Sequence, residues 1–181
     1  VEFPERKMRD IIINFPLYSG VNDVLIGLQE DAELTGGDKY KYQTPVIYYG
    51  SSITQGGCAS RPGNSYQAII SRKLDCNYLN LGFSGNAFFE KGVIDMLGEI
   101  DAKVYILDAL PNSHMIRPLE VLKDTIMKAV KQLRSLRPDA SILLTDHYGY
   151  PHSVTYKYWR GEEKHANDAM KAAYEQLIAE G

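Results

Sequence analysis

From Pro45 onward the chain alternates short apolar runs with segments of helical spacing, and this rhythm constrains the fold more than any other feature. Val46–Tyr49, Tyr78–Leu81, Val104–Leu107 and Ile142–Thr145 are short and largely apolar, as strands buried on both faces are. Between them, Tyr66, Ile69, Ile70, Lys73 and Leu74 mark a first helix, and Val93, Met96, Leu97 and Ile100 a second. Leu119, Leu122, Ile126, Ala129, Val130 and Leu133 mark a longer third, with Pro118 near its start and Pro138 beyond its end. Ala166, Ala169, Met170, Ala173 and Leu177 mark the last. Strands alternating with helices predict βαβ units, hence an α/β fold with a three-layer, doubly wound parallel sheet.

Ligands of such sheets bind outside the carboxyl ends of the strands. The loops expected there carry Ser52, Gly85, Asn112 and the stretch from Asp146 to His152, one loop after each strand. Each loop alone has an ordinary explanation. Gly50-Ser51-Ser52 after a strand is often a turn or a helix cap, and Pro111-Asn112 is a common turn dipeptide. Together they bring three parts of one chemistry to one edge. A serine hydroxyl is a poor nucleophile that needs an exposed turn, a base and a stabilised oxyanion. Ser52 would be the nucleophile and its own N–H the first oxyanion donor; the Gly85 N–H and the Asn112 side-chain amide would be the second and third.

Composition narrows the remaining choices. A chain of 181 residues, 44% hydrophobic, fits one domain with a packed core. The net charge of −3 and the lack of a lysine or arginine cluster give no footprint for nucleic acid or for an anionic membrane. No apolar run approaches the roughly 18 residues of a membrane span. Cys58 and Cys76 make no disulfide framework, and no cluster has metal-ligand spacing, so neither a metal nor another cofactor is expected. The sequence starts at Val1 rather than at a methionine, which leaves the compartment, cytoplasmic or secreted, unassigned; the oligomeric state is unassigned too.

Residues 1–44 read differently from the rest of the chain. Asp10–Phe15 and Asp23–Gly27 are apolar runs bounded by Pro16, Gly20 and Asn22, which predicts two strands, and Glu33–Lys41 is a polar connector. Two strands make a poor domain. The expectation is that 1–44 is the tail of an upstream β domain with its connector, or covers a sheet edge, and that 45–181 is the catalytic unit.

The blocks Gly50-Ser51-Ser52, Asn80–Asn86 and Asp108–Asn112, in this order, resemble those of the SGNH (GDSL-type) esterase and acylhydrolase family. The resemblance covers about Pro45 to His147, with Ser51 where the family has aspartate and an altered third block. Tyr49–Gly63 is similar to a subgroup whose hydrolase domain follows a small β domain. The resemblance implies acyl-ester hydrolysis through an acyl-serine at Ser52, with a small-molecule or carbohydrate ester as partner and O-acetyl groups as one substrate class. It also implies a base in an Asp-x-x-His block, which this sequence lacks. The expectation is a domain truncated at its C-terminus, with that block and a fifth strand after Gly181; His147 and His152 are the substitute bases or substrate contacts. Asp146 and His147, being adjacent, are poorly placed to pair.

Other residues have plainer readings. His165 reads as a solvated residue in the charged first turn of the last helix, and His114 as structural or a substrate contact. Cys58 reads as a small buried residue, Arg61 as a carboxylate holder or loop anchor, and the aromatic stretch Tyr148–Trp159 as packing rather than sugar stacking. Two other functions fit the same fold class. One is a flavodoxin-like domain that cradles phosphate or flavin on Gly50–Thr54; the other is a non-catalytic carbohydrate-binding domain.

Overall fold

The structure, a computed structural model, describes residues 4–181. Four parallel strands form one sheet: β1 (Tyr42–Gly50), β2 (Cys76–Gly82), β3 (Val104–Asp108) and β4 (Ser141–Leu144), in the order β2-β1-β3-β4. The helices are α1 (Ser52–Gln55), α2 (Tyr66–Leu74), α3 (Lys91–Glu99), α4 (Leu110–Ser113), α5 (Leu119–Leu136) and α6 (Lys157–Glu180).

Period-two alternation along β1 and β3 builds the layers. Ile47, Tyr49, Tyr105 and Leu107 point to one face, where they are buried with Ile94 and Leu97 of α3 and Leu122, Ile126 and Leu133 of α5. Ala166, Ala169 and Ala173 of α6 complete that layer, their small side chains allowing close approach to α5. On the other face Tyr48 meets the rings of Tyr66 and Tyr78 edge-on, at centroid distances of 5.6 and 6.5 Å, under α2. The three-layer parallel α/β arrangement expected from the sequence is therefore present.

The first strand is longer than its apolar run, because its ladder extends outward to Tyr42, opposite Cys76. At the N-terminus the two expected strands do not form. The segments 10–15 and 23–27 form no strand, and Ile11, Ile12 and Leu25 are 64%, 67% and 95% exposed. Neither run has a strand to pair with or a face to bury, and a run without either gains nothing from extended structure. The chain turns into the sheet only at β1.

Chain order places the working edge. From β1 the chain steps outward to β2, then crosses back over β1 to β3, so the order reverses between β1 and β3. Such a reversal opens a crevice at the carboxyl ends of the two strands. Gly50 ends β1 beside Gly82 on one side and Asp108 on the other.

Candidate active site

Three turns meet at that crevice. After β1, Ser51 caps α1 and its hydroxyl accepts the Ile53 N–H at 3.3 Å, so Ser52 is the first helical residue, half-buried where strand becomes helix. The helix is one turn long and ends at Gly56 in the left-handed region, φ 97°. One turn carries little dipole, so the phosphate cradle weighed for Gly50–Thr54 has little field to hold a charge with.

The second turn is tied directly to the first. The Phe83 N–H donates to the Gly50 carbonyl at 2.7 Å, and the Ser84 N–H to Gln55 Oε1 at 2.9 Å. Gly82 packs so closely on α1 that a Cβ would lie 2.0 Å from the Gln55 backbone nitrogen. Gly85 has φ +72°, the left-handed conformation that glycine adopts without a Cβ penalty. Its N–H faces the third turn. In the amide orientation that satisfies both ends, Asn112 Oδ1 accepts from the Gly85 N–H at 2.9 Å and the Asn86 N–H at 3.2 Å. Gly85 and Asn112, separate in sequence, thus touch, and the Asn112 NH2 points away from Gly85.

Asp108 fixes the crevice floor, and sequence reasoning did not single it out as a site residue. Its carboxylate is 6% exposed and takes hydroxyl donors from three elements: Thr54 of α1 at 2.8 Å, Tyr66 of α2 at 3.2 Å and Thr145 after β4 at 2.8 Å. Burial first, and the Asp108 charge second, push the Tyr66 hydroxyl well above the usual phenol range. The available signal was an acid ending an apolar strand, where burial without partners is costly.

Beyond β4 lies a histidine and aromatic wall. Asn167 of α6 grips His147 at both backbone groups, accepting from its N–H at 2.7 Å and donating to its carbonyl at 3.0 Å. His147 is buried; Nδ1 accepts the Gly149 N–H at 3.0 Å, and Nε2 has no partner. Burial lowers its pKa, with Glu163 and Asp108 opposing and His114 adding to the fall. A neutral ring that accepts at Nδ1 carries its proton on Nε2. His114 uses Nδ1 against the Pro111 carbonyl at 2.9 Å, and its ring lies 6.1 Å from that of His147. His152 is exposed, its ring 6.3 Å from Tyr156, apart from this cluster.

Several plainer expectations need correction. Helix α6 begins at Lys157, so His165 lies well inside it; it is half-buried and bonds the Ile116 carbonyl at 3.0 Å. Cys58 is exposed, because its turn bulges from the surface before α2. The aromatic stretch divides: Tyr150 and Trp159 pack together at 5.4 Å, while Tyr148, Tyr156 and Tyr158 are exposed. Arg61 is exposed. Among the described residues no His, Cys, Asp and Glu group is placed to hold a metal ion, and no helix is long and apolar enough to cross a membrane.

Residues 43–181 match the profile of the GDSL-like lipase/acylhydrolase family, well over half of the chain. The chain belongs to that family. A solved protein described as a GDSL-like lipase, from Bacteroides ovatus ATCC 8483, shares 34% identity with a TM-score of 0.76, over 84% of this chain and 44% of that one. This chain therefore spans less than half of that relative's length. A salicylyl-acyltransferase from a tetracycline biosynthetic pathway superposes with a TM-score of 0.65 at 17% identity, over 80% of this chain and 42% of that one. A carbohydrate esterase family 2 enzyme with a carbohydrate-binding domain, from Corynascus thermopiles (Myceliophthora fergusii), gives 0.56 at 14%, over 80% and 56%. At those identities the last two show the fold. No curated protein matches in sequence.

Proposed function

We propose that this GDSL-like domain is a serine hydrolase that cleaves acyl esters through an acyl intermediate on Ser52. Ser52 Oγ attacks the ester carbonyl as a base takes its proton, and collapse of the tetrahedral intermediate expels the alcohol, which recovers the proton. Water then releases the acid by the same route. The Ser52 N–H and the Gly85 N–H stabilise the oxyanion, Gly85 giving up Asn112 Oδ1 for the carbonyl oxygen, and the Asn112 amide joins them by turning its NH2 toward Gly85.

One observation carries this reading. Gly50 pairs in register with both Gly82 and Asp108, so the turns bearing Ser52, Gly85 and Asn112 all leave the sheet at one place. The finer proposal, an O-acetyl ester on a carbohydrate, draws on the exposed ring of Tyr148. That ring lies 5.6 Å from the ring of His147, on the loop that leaves β4 at the crevice edge. Such a ring suits the apolar face of a sugar.

The test is intact-mass labelling with a fluorophosphonate, on this chain and on the full-length natural protein. The expected adduct maps to Ser52 and disappears in Ser52→Ala, and Asn112→Ala lowers turnover of p-nitrophenyl acetate by about 10²–10³. Labelling of this chain would put a base among its residues, with His152 and His147 the first to replace; labelling of the longer protein alone would put it outside them. Absence of an adduct in both, with glycan binding intact in Ser52→Ala, would replace this reading with the non-catalytic one.

A further inference from the structure

The segment before the sheet forms no strand, yet it touches the site at one place. Leu17 and Tyr18, 34 residues ahead of Ser52 at the nearest bond, lie against the turn that carries the proposed nucleophile. Leu17 is half-buried in a segment that is otherwise almost wholly exposed. Tyr18 Oη donates to the Ser52 carbonyl at 3.1 Å. That carbonyl also accepts the Gly56 and Gly57 N–H groups at 3.0 and 2.9 Å, so Tyr18 adds a third donor to the residue itself.

Gln55 extends the contact across the crevice. Its Nε2 donates to the Leu17 carbonyl at 2.9 Å, while its Oε1 accepts the Ser84 N–H at 2.9 Å. One rigid amide therefore joins the strap, the nucleophile helix and the residue preceding Gly85. The glycine pair after α1 supplies independent support. A Cβ on Gly57 would lie 2.7 Å from Tyr18 Oη, and one on Gly56 would lie 2.6 Å from Leu17 Cδ1. Gly56 also needs glycine for its left-handed backbone, whereas Gly57 has no such need. Its missing side chain is room for Tyr18.

We infer that Leu17–Tyr18 is a positioning strap for this esterase site, acting through Gln55 and the Ser52 carbonyl on the spacing between Ser52 and Gly85. The inference rests on Ser52 being the nucleophile. If the strap lifts, the Gln55 amide loses the partner that orients it, and the Ser84 N–H loses a fixed acceptor just before the oxyanion glycine. A displacement of about 1 Å at such a site costs on the order of 10²-fold in rate. Neither Tyr18 nor Gln55 touches substrate in this scheme.

Two variants of the full-length natural protein test it. Gln55→Met keeps the volume and removes both side-chain bonds; Tyr18→Phe removes one hydroxyl from a half-exposed ring. Gln55→Met is expected to lower kcat on p-nitrophenyl acetate about tenfold or more with KM within about twofold, and to slow labelling of Ser52 to match. Its Ser84 amide is expected to exchange about tenfold faster. Tyr18→Phe should lower kcat about threefold and leave Ser84 exchange unchanged, since it spares Gln55. If the parent labels at Ser52 and both variants keep its kcat within about twofold, the inference is overturned and the hydrolase reading stands. If no form labels but Ser84 exchange rises in Gln55→Met, only the Gln55 bond to Ser84 stands, and the nucleophile assignment falls together with the strap's role in it. Unlabelled protein with unchanged exchange overturns both.

Discussion

The two sides of the crevice are held in different ways. On the β1–β2 side, the side chains that set the turns are bonded at both ends. Gln55 is engaged at Oε1 and Nε2, and Asn80 accepts the Gly82 N–H at 3.0 Å and donates to the Gln55 carbonyl at 3.3 Å; on the floor next to it, Asp108 at the end of β3 takes hydroxyls on both oxygens. Beyond β4 the wall is made of rings meeting edge to face, and it leaves His147 Nε2 without a partner. Side chains bonded at both ends hold one arrangement, because moving any of them breaks two hydrogen bonds at once. Aromatic contacts cost less to rearrange. The difference places fixed spacing where a bond would be made and tolerance where the rest of a substrate would lie.

The largest expected effect breaks the saturated side at its tightest point. Gly82→Ala puts a Cβ 2.0 Å from the Gln55 nitrogen and 2.3 Å from its Cα, and both are backbone atoms of α1 that no rotamer change can relieve. The variant should lose about 3 kcal/mol in urea unfolding and carry a displaced Ser52 turn. A loss under about 0.5 kcal/mol would mean that the sheet and α1 are not in this contact.

Asp108 tests the floor between the two sides, with a smaller effect. Asp108→Ala strands the hydroxyls of Thr54, Tyr66 and Thr145, and should cost about 2 kcal/mol. Asp108→Asn keeps one acceptor oxygen and should recover about half of that. In either variant the Tyr66 hydroxyl, raised by burial first and Asp108 second, should titrate lower than in the parent, though still above the usual phenol range. An unmoved tyrosine titration together with parental stability would remove Asp108 from the frame.

The two sides were also unequally legible in the sequence. The strands and the long helices announce themselves by period, since each must bury a face and the residues that do so recur locally. Ser52, Gly85 and Asn112 could be singled out as candidates because topology forces the loops after parallel strands to one edge. Asp108 was visible as a strand-end acid, but its three donors come from α1, α2 and the end of β4, which no local pattern connects. Tyr18 and Gln55 gave no signal, because a contact between an irregular segment and a one-turn helix leaves no period. The strands expected at 10–15 and 23–27 failed for the converse reason: their apolar composition is local, whereas a strand needs a partner.

The smallest effect tests the unsaturated side through pH. His147 has its pKa lowered from the ordinary 6.5, by burial first and the neighbouring His114 besides, with Glu163 and Asp108 pulling the other way. As pH falls through 6.5, the unfolded chain takes up a proton at this residue that the folded chain refuses, so stability falls with pH. One proton sets the limit, about 1.4 kcal/mol per pH unit. Geometry agrees in sign: protonating Nδ1 would turn an acceptor of the Gly149 N–H into a second donor facing it. Between pH 7 and about 5.5 the parent should therefore lose about 1 kcal/mol more than His147→Gln in urea titrations. Equal losses would mean that the ring charges freely inside the fold and that the wall opens to water there. A larger loss in the parent keeps the buried His147 ring neutral over that range.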